Sequence, residues 1–288
     1  MDLRPDDYKD FSKFLLGKEG FTSITAMTNA ALHITAGFRE LHLKGYTYQD
    51  LHDGNFFINP KNGDVLICDN DNVSEYGRDS GIQGKARYMA PEIVAKNAKP
   101  NKYTDRFSLS VVLFLLLIKN HPLEGKAACP VCMDTKHERS IYGENPVFIF
   151  DPTDKSNIPV QGLHKGAIAN WPLLPAYLQK EFIKAFSKDV LKNPANRIIE
   201  QEWLRIFIRM RSEIFKCSCG EVYFAVLYKQ ITVQSVKRKI YFLCISKHLV
   251  IICLFIRKQN SMPAIPKKIP MILKLWKEKL RQRGITLN

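Results

Sequence analysis

Two short stretches hold the residues best suited to chemistry, "YQDLHDGNFFI" at 48–58 and "VLICDNDN" at 65–72. Asp50 is followed five residues later by Asn55 and, fourteen residues further, by Asp69, with Asp71 close behind. Acids and amides at this density exceed what a turn requires. Hard oxygen donors of this kind suit a divalent cation and the phosphate oxygens that travel with it. Phosphoryl transfer depends on positioned metal ions and a carboxylate beside the incoming hydroxyl more than on covalent chemistry.

Such residues need a frame. Ile24, Met27, Ala31, Ile34, Phe38 and Leu41 recur at three- and four-residue steps, which predicts a helix over 24–44 stopped by Gly45. A shorter helix is expected over 6–16. "FFINP", "KNG" and "DVLIC" predict two short strands joined by an Asn-Gly turn. Residues 70–88 are polar and contain glycine, and read as a long loop. "DRFSLSVVLFLLLIKN" is apolar on nearly all sides, as a helix in the middle of a domain would be. With charges at both ends it falls short of the ~20 residues of a membrane span. A loop-rich stretch covers 121–175, and two more helices are expected over 176–188 and 198–214.

The chain has 288 residues, 45% hydrophobic and 25% charged, enough for one large or two modest domains with a real core. "MDLRPDDYKDF" lacks the basic-then-apolar pattern of a secretory signal, and seven cysteines fit a reducing compartment better than a disulfide scaffold. Both point to the cytoplasm. The net charge of +15 is not evenly spread, because residues 217–288 hold 14 Lys and Arg against Glu221 and Glu278 alone, leaving +3 for residues 1–216. A boundary is drawn near 216.

The acidic stretches belong to a longer series. "YQDLHDGN" keeps an Asp-Leu-x-x-x-Asn frame, "CDND" follows it, and "YMAPE" ends in Ala90-Pro91-Glu92. "DRFSLS" at 105–110, "NHPLEG" and "LKNPANRI" at 191–198 come next. In this order and spacing the series resembles the protein kinase superfamily, in an atypical bacterial-type Ser/Thr branch. The resemblance implies an α+β, mainly α-helical fold over 1–216, a kinase-like C-lobe with a small β-hairpin at the catalytic loop, followed by a basic C-terminal module. It implies ATP and Mg-dependent transfer of phosphate to Ser/Thr hydroxyls of a protein substrate. Asp50 would accept or orient the hydroxyl, Asn55 and Asp69 would hold magnesium and nucleotide, Glu92 would pair with Arg197, and Asp105 would support the loop.

The departures are substantial. Tyr48-Gln49 stands in place of His-Arg, and His52 in place of the lysine that steadies the phosphoryl group. Asp69-Asn70-Asp71 replaces Asp-Phe-Gly, and Lys85 replaces a threonine. The 49 residues before Asp50 contain no Gly-x-Gly-x-x-Gly and no Val-Ala-x-Lys, so the stretch reads as a C-lobe without its N-lobe. Impaired activity is therefore expected, or an N-lobe supplied by a separate chain. The other reading is a non-catalytic, pseudokinase-type module for a docking partner, or a gene fragment.

Cys129 and Cys132 have metal-ligand spacing, and "CSCG" supplies Cys217 and Cys219, a candidate zinc site if the fold joins the pairs. Residues 217–288 then read as a basic β/α tail, a remnant of a zinc-ribbon-like module. Cys244 and Cys253 are expected in apolar surroundings. The tail's charge and aromatics fit nucleic acid or an anionic membrane surface, 240–256 is a marginal membrane element, and 270–284 is a basic amphipathic helix.

Overall fold

The computed structural model describes residues 5–69, 71, 73–76, 84–129, 134–216, 222–224, 231–233 and 238–240, those from 215 onward by backbone alone. The fold mixes helix and sheet, with helix dominant and the strands short and antiparallel. The chain divides into two units, Met1–Val226 and Leu227–Asn288.

The first unit opens with β1 (Lys9–Asp10) and α1 (Phe11–Leu15). The sequence predicts one helix over 6–16, whereas Lys9 and Asp10 pair with Ile58 and Phe57 across a sheet. Strand pairing with residues nearly fifty positions away overrides local helical preference here. What remains helical is one short turn that buries Phe11 and Phe14.

The long helix α2 (Ile24–Leu43) begins at Ser23, whose hydroxyl accepts the Ala26 N–H at 3.0 Å. It stops before Gly45, which takes φ +83° with its N–H on the His42 carbonyl. Ala30, Ala31, Ile34 and Phe38 form its buried face. Then come β2 (Tyr46–Tyr48), β3 (Phe56–Ile58), β4 (Val65–Ile67) and β5 (Val73–Glu75). β3 and β4 make the predicted hairpin, with Phe56 opposite Ile67 and the sheet order β1-β3-β4. At its turn Gly63 takes φ +81°, and a Cβ there would meet the Ala26 carbonyl at 2.0 Å. Glycine is therefore required where the hairpin rests on α2. β5 lies inside the stretch expected to be loop. Val73–Glu75 pairs with β2, Thr47 opposite Ser74.

After the short α3 (Pro91–Val94), α4 (Lys102–Ile118) runs through the core. Asn101 caps it, accepting from Tyr103 and Thr104 N–H while the Thr104 hydroxyl accepts the Asn101 N–H at 2.9 Å. Residues Val111 to Ile118 are all at most 4% exposed, as the uninterrupted apolar run predicts. Phe114 meets Phe148, Phe182 and Phe186 at ring separations of 5.6, 5.1 and 6.0 Å. Helices α5 (Thr135–Arg139), α6 (Lys165–Asn170), α7 (Ala176–Ala185), α8 (Lys188–Lys192) and α9 (Glu200–Ser212) complete the bundle. The hairpin β6 (Ile214–Lys216) with β7 (Val222–Phe224) follows within the first unit.

In the second unit, β8 (Ile231–Val233) pairs with β9 (Arg238–Ile240). Cys132, Cys217, Cys219, Cys244, Cys253, most of the marginal element at 240–256 and the basic helix at 270–284 lie outside the described residues. Among the described residues no helix is long and apolar enough to cross a membrane.

Candidate active site

Asp50, His52 and Asn55 sit on the loop between β2 and β3, and the start of that loop is pinned from below. The Tyr48 N–H donates to Asp105 Oδ2 at 2.8 Å, and the Tyr48 hydroxyl donates to the Cys68 carbonyl. Asp105 comes from the first turn of α4 and is buried, so the helix core fixes the loop. Burial together with the charges of Asp69 and Asp50 pushes the Tyr48 phenol up, so it remains a protonated donor.

A tight turn over Asp53–Asn55 closes the loop. His52 caps it, Nδ1 accepting the Gly54 N–H at 2.9 Å. Asn55 is 5% exposed and donates from Nδ2 to the Asp50 carbonyl at 2.9 Å, which ties the two residues together. The Cys68 N–H donates to the Asn55 carbonyl at 2.9 Å, and this brings Asp69 to the loop as β4 ends. Asp69 takes φ +64°, a left-handed conformation that costs a non-glycine residue on the order of 1 kcal/mol. Its charge is felt at both Tyr48 and His52. The hairpin thus returns Asp69 to the loop that carries Asp50 and Asn55, as their spacing predicts.

Asp50 has two unlike oxygens. Oδ1 is buried without a hydrogen-bond partner among the described residues, and a Cβ on Gly84 would stand 3.2 Å from it. Oδ2 lies 3.6 Å from His52 Nε2. Lys85 reaches the other side of the imidazole, Nζ to Nδ1 at 3.3 Å, and lies 4.0 Å from Asp53 Oδ1. Two donors on Nδ1 place the ring proton of the neutral form on Nε2, facing Asp50. Burial holds the His52 imidazole below its ordinary value, Lys85 acting with it and Asp50 and Asp53 against it.

The supports are ion pairs deeper in the fold. Arg197 grips Glu92 through two hydrogen bonds of 2.7 and 2.6 Å and donates to the Tyr103 carbonyl at 3.0 Å. Arg87 holds Glu124, which also accepts from the Tyr142 hydroxyl at 2.7 Å. Against the effect of burial, nearby His121 together with these contacts pushes the Glu124 carboxyl down to about 2. His42 joins Asp105 to Glu200, an arrangement the sequence does not announce, since it is an ordinary residue near the end of α2. Gln49 is 8% exposed and donates to Ser74 on β5.

The described residues contain no cluster of three or more His, Cys, Asp or Glu able to hold a metal ion by themselves. Of the four candidate zinc ligands, only Cys129 is described, exposed and within 3.4 Å of the Gly125 carbonyl. Magnesium makes a different demand. It keeps waters and is held by one or two side chains plus phosphate oxygens. Asn55 and Asp69, an amide and a carboxylate brought together through the Cys68–Asn55 backbone bond, are donor types that meet that demand.

A family model described as protein kinase domain matches residues 5–204. G protein-coupled receptor kinase 2 of Caenorhabditis elegans is 28% identical over 109 residues, 37% of this chain and 15% of that protein. Beta-adrenergic receptor kinase 1 of Mesocricetus auratus is 29% identical over 109 residues, 37% of this chain and 16% of that protein. The matched stretch spans about one sixth of the length of these curated relatives.

Proposed function

Because the chain belongs to the protein kinase family, we propose that residues 5–204 carry the metal-side half of a site that transfers phosphate from ATP to Ser/Thr hydroxyls of proteins. The observation that carries this reading is the joining of Asp50, Asn55 and Asp69. Asn55 Nδ2 is bonded to the Asp50 carbonyl, and Asp69 is returned to the same loop through the Cys68–Asn55 backbone bond.

In this reading Asp50 receives the acceptor hydroxyl's proton through Oδ2, its less enclosed oxygen. Asn55 and Asp69 would hold magnesium, which when bound neutralises charge on the phosphate oxygens. Asp105, through the Tyr48 N–H, keeps the loop in register. The 49 residues ahead of Asp50 contain no Gly-x-Gly-x-x-Gly and no Val-Ala-x-Lys. A covering lobe, from the same or another chain, is needed to enclose the nucleotide and keep water out. The 288 residues alone bind nucleotide weakly and turn over slowly.

One observation favours a second reading. Gln49 is uncharged, buried and bonded to Ser74, so it offers no cation to a phosphorylated activation segment. A pseudokinase-type module that docks a partner without turnover accommodates that arrangement. Calorimetric titration of magnesium and ATP into the purified chain separates the two. Metal-dependent binding lost in Asp69→Asn supports the enzyme reading. Absence of binding at millimolar nucleotide supports the docking module.

A further inference from the structure

We propose that Lys85 is the cation that meets the transferring phosphoryl group, seated on His52 beside Asp50. The proposal rests on the phosphoryl-transfer reading above and assigns a residue to it.

Electrostatics pose the problem first. Asp50, Asp53 and Asp69 all act on the His52 ring, so the loop mouth is rich in carboxylate charge. A phosphoryl group spreads negative charge over three oxygens as it moves, and these carboxylates repel it. His52, held in its neutral form, adds no positive charge at neutral pH. Among the described residues, Lys85 brings an ammonium into contact with this group.

The backbone explains why Lys85 stays there. Its carbonyl accepts the Tyr88 N–H at 2.8 Å and the Met89 N–H at 3.2 Å, starting the turn that leads into α3. Gly84, one residue earlier, packs over Asp50 Oδ1 so closely that an added Cβ would stand 3.2 Å away. The Lys85 stem is therefore fixed at the edge of the catalytic loop while its side chain is 58% exposed. An ammonium has three donors. One meets His52 Nδ1 at 3.3 Å, Asp53 stands at ion-pair distance, and water faces the rest. A neutral imidazole at 52 accepts from this ammonium, where a second cation at that position would repel it. The histidine at 52 and the lysine at 85 are thus one complementary pair.

In the transfer, the acceptor oxygen bonds the γ-phosphorus as the bond from that phosphorus to its bridging oxygen breaks. The bridging oxygen keeps the electron pair on ADP, and the hydroxyl proton passes to Asp50. Lys85 compensates the charge on the moving group and leaves the ground-state diphosphate largely untouched.

The test measures equilibrium binding of magnesium–ADP, with and without fluoroaluminate as a mimic of the moving phosphoryl group. It compares the wild type, Lys85→Met, Lys85→Arg and the double variant His52→Lys/Lys85→Met, after confirming an unchanged thermal transition for each. Fluoroaluminate should tighten binding in the wild type and in Lys85→Arg. In Lys85→Met this gain should fall by roughly tenfold, less than the 10²–10³ lost with a fully enclosed donor, because the ammonium is half in water. The double variant, with its cation returned to position 52, should recover it. Equal tightening in wild type and Lys85→Met overturns the proposal, as does a wild type that binds magnesium–ADP without any response to fluoroaluminate. Both results leave the phosphoryl-transfer reading standing. A wild type that binds no magnesium–ADP overturns both.

Discussion

His42 and Asp105 hold one proton between them. His42 Nε2 lies 3.0 Å from Asp105 Oδ2, the oxygen that also accepts the Tyr48 N–H, and His42 Nδ1 lies 2.9 Å from Glu200 Oε1. Glu200 in turn takes two bonds from Arg106. The end of α2, the start of α4 and the start of α9 therefore meet at one buried imidazole, and the end of β2 is tied to it through Asp105.

Stability should follow the protonation of that imidazole. Burial lowers its basicity, but the bonds to Asp105 and Glu200 outweigh burial and raise the pKa from 6.5 to about 9. Burial also raises Asp105, so both members of the pair favour keeping the proton. A raised pKa means the stabilisation is complete below pH 6.5 and is lost as pH climbs through about 9. The total is on the order of 3 kcal/mol. Urea unfolding between pH 6 and pH 10 should show that decline in the wild type, and His42→Gln should be less stable at pH 6 with a flatter profile. An identical slope in the variant would assign the decline to other groups.

The Arg197–Glu92 pair should behave as a buried pair does. Arg197 is 4% exposed, and both its terminal nitrogens are committed to Glu92. Glu92→Gln or Arg197→Met alone should cost about 3–5 kcal/mol, because each strands a buried partner. The double change Glu92→Gln/Arg197→Met should cost less than the sum of the single changes. Denaturant midpoints of the three variants decide this, and simple additivity would mean the two side chains do not interact energetically.

Two glycines with nearly the same backbone angle should respond differently to alanine. Gly45 has φ +83° with nothing within 4 Å of an added Cβ, so Gly45→Ala should cost about 1–2 kcal/mol from the left-handed backbone alone. Gly63 has φ +81°, but its added Cβ would stand 2.0 Å from the Ala26 carbonyl and 2.8 Å from the Ala30 nitrogen. Gly63→Ala must push the hairpin off α2 and should lower the melting temperature clearly more. Equal shifts would show that the hairpin yields freely.

The parts of this architecture legible in the sequence are those set by local pattern. The apolar run of α4, the three- and four-residue steps of α2 and the Asn62-Gly63 turn each announce themselves within a window of about twenty residues. The spacing of Asp50, Asn55 and Asp69 predicts a hairpin that returns to its loop, and β3 and β4 form it. What was hidden depends on distant partners. Lys9–Asp10 become a strand because Phe57 and Ile58 are there to pair with them, and Val73–Glu75 because Tyr46–Tyr48 are. His42 carries no signal at all, since its meaning comes from Asp105 and Glu200, 63 and 158 positions away. Lys85 and His52 each stand out against the kinase pattern, but only the 3.3 Å contact makes them a pair.

The carboxylates of the candidate site should divide into two behaviours. Asp69 sits at the end of β4 in a strained left-handed backbone, so Asp69→Asn keeps the shape and the tolerance of that angle while removing the charge offered to a cation. It should abolish the magnesium dependence of nucleotide binding. Asp50 faces the loop mouth through Oδ2, while its own backbone carbonyl is held by Asn55. Asp50→Asn should leave that metal-dependent binding intact and, with a covering lobe supplied, slow transfer by roughly 10²–10⁴, the range for losing a positioned general base. Asn55→Ala should disturb both, because it removes the amide proposed to hold the metal and frees the Asp50 carbonyl at once. Calorimetry with and without magnesium, paired with single-turnover transfer, separates the three variants. Loss of binding in Asp50→Asn would place that carboxylate among the metal-holding groups and overturn its assignment as the acceptor of the hydroxyl's proton.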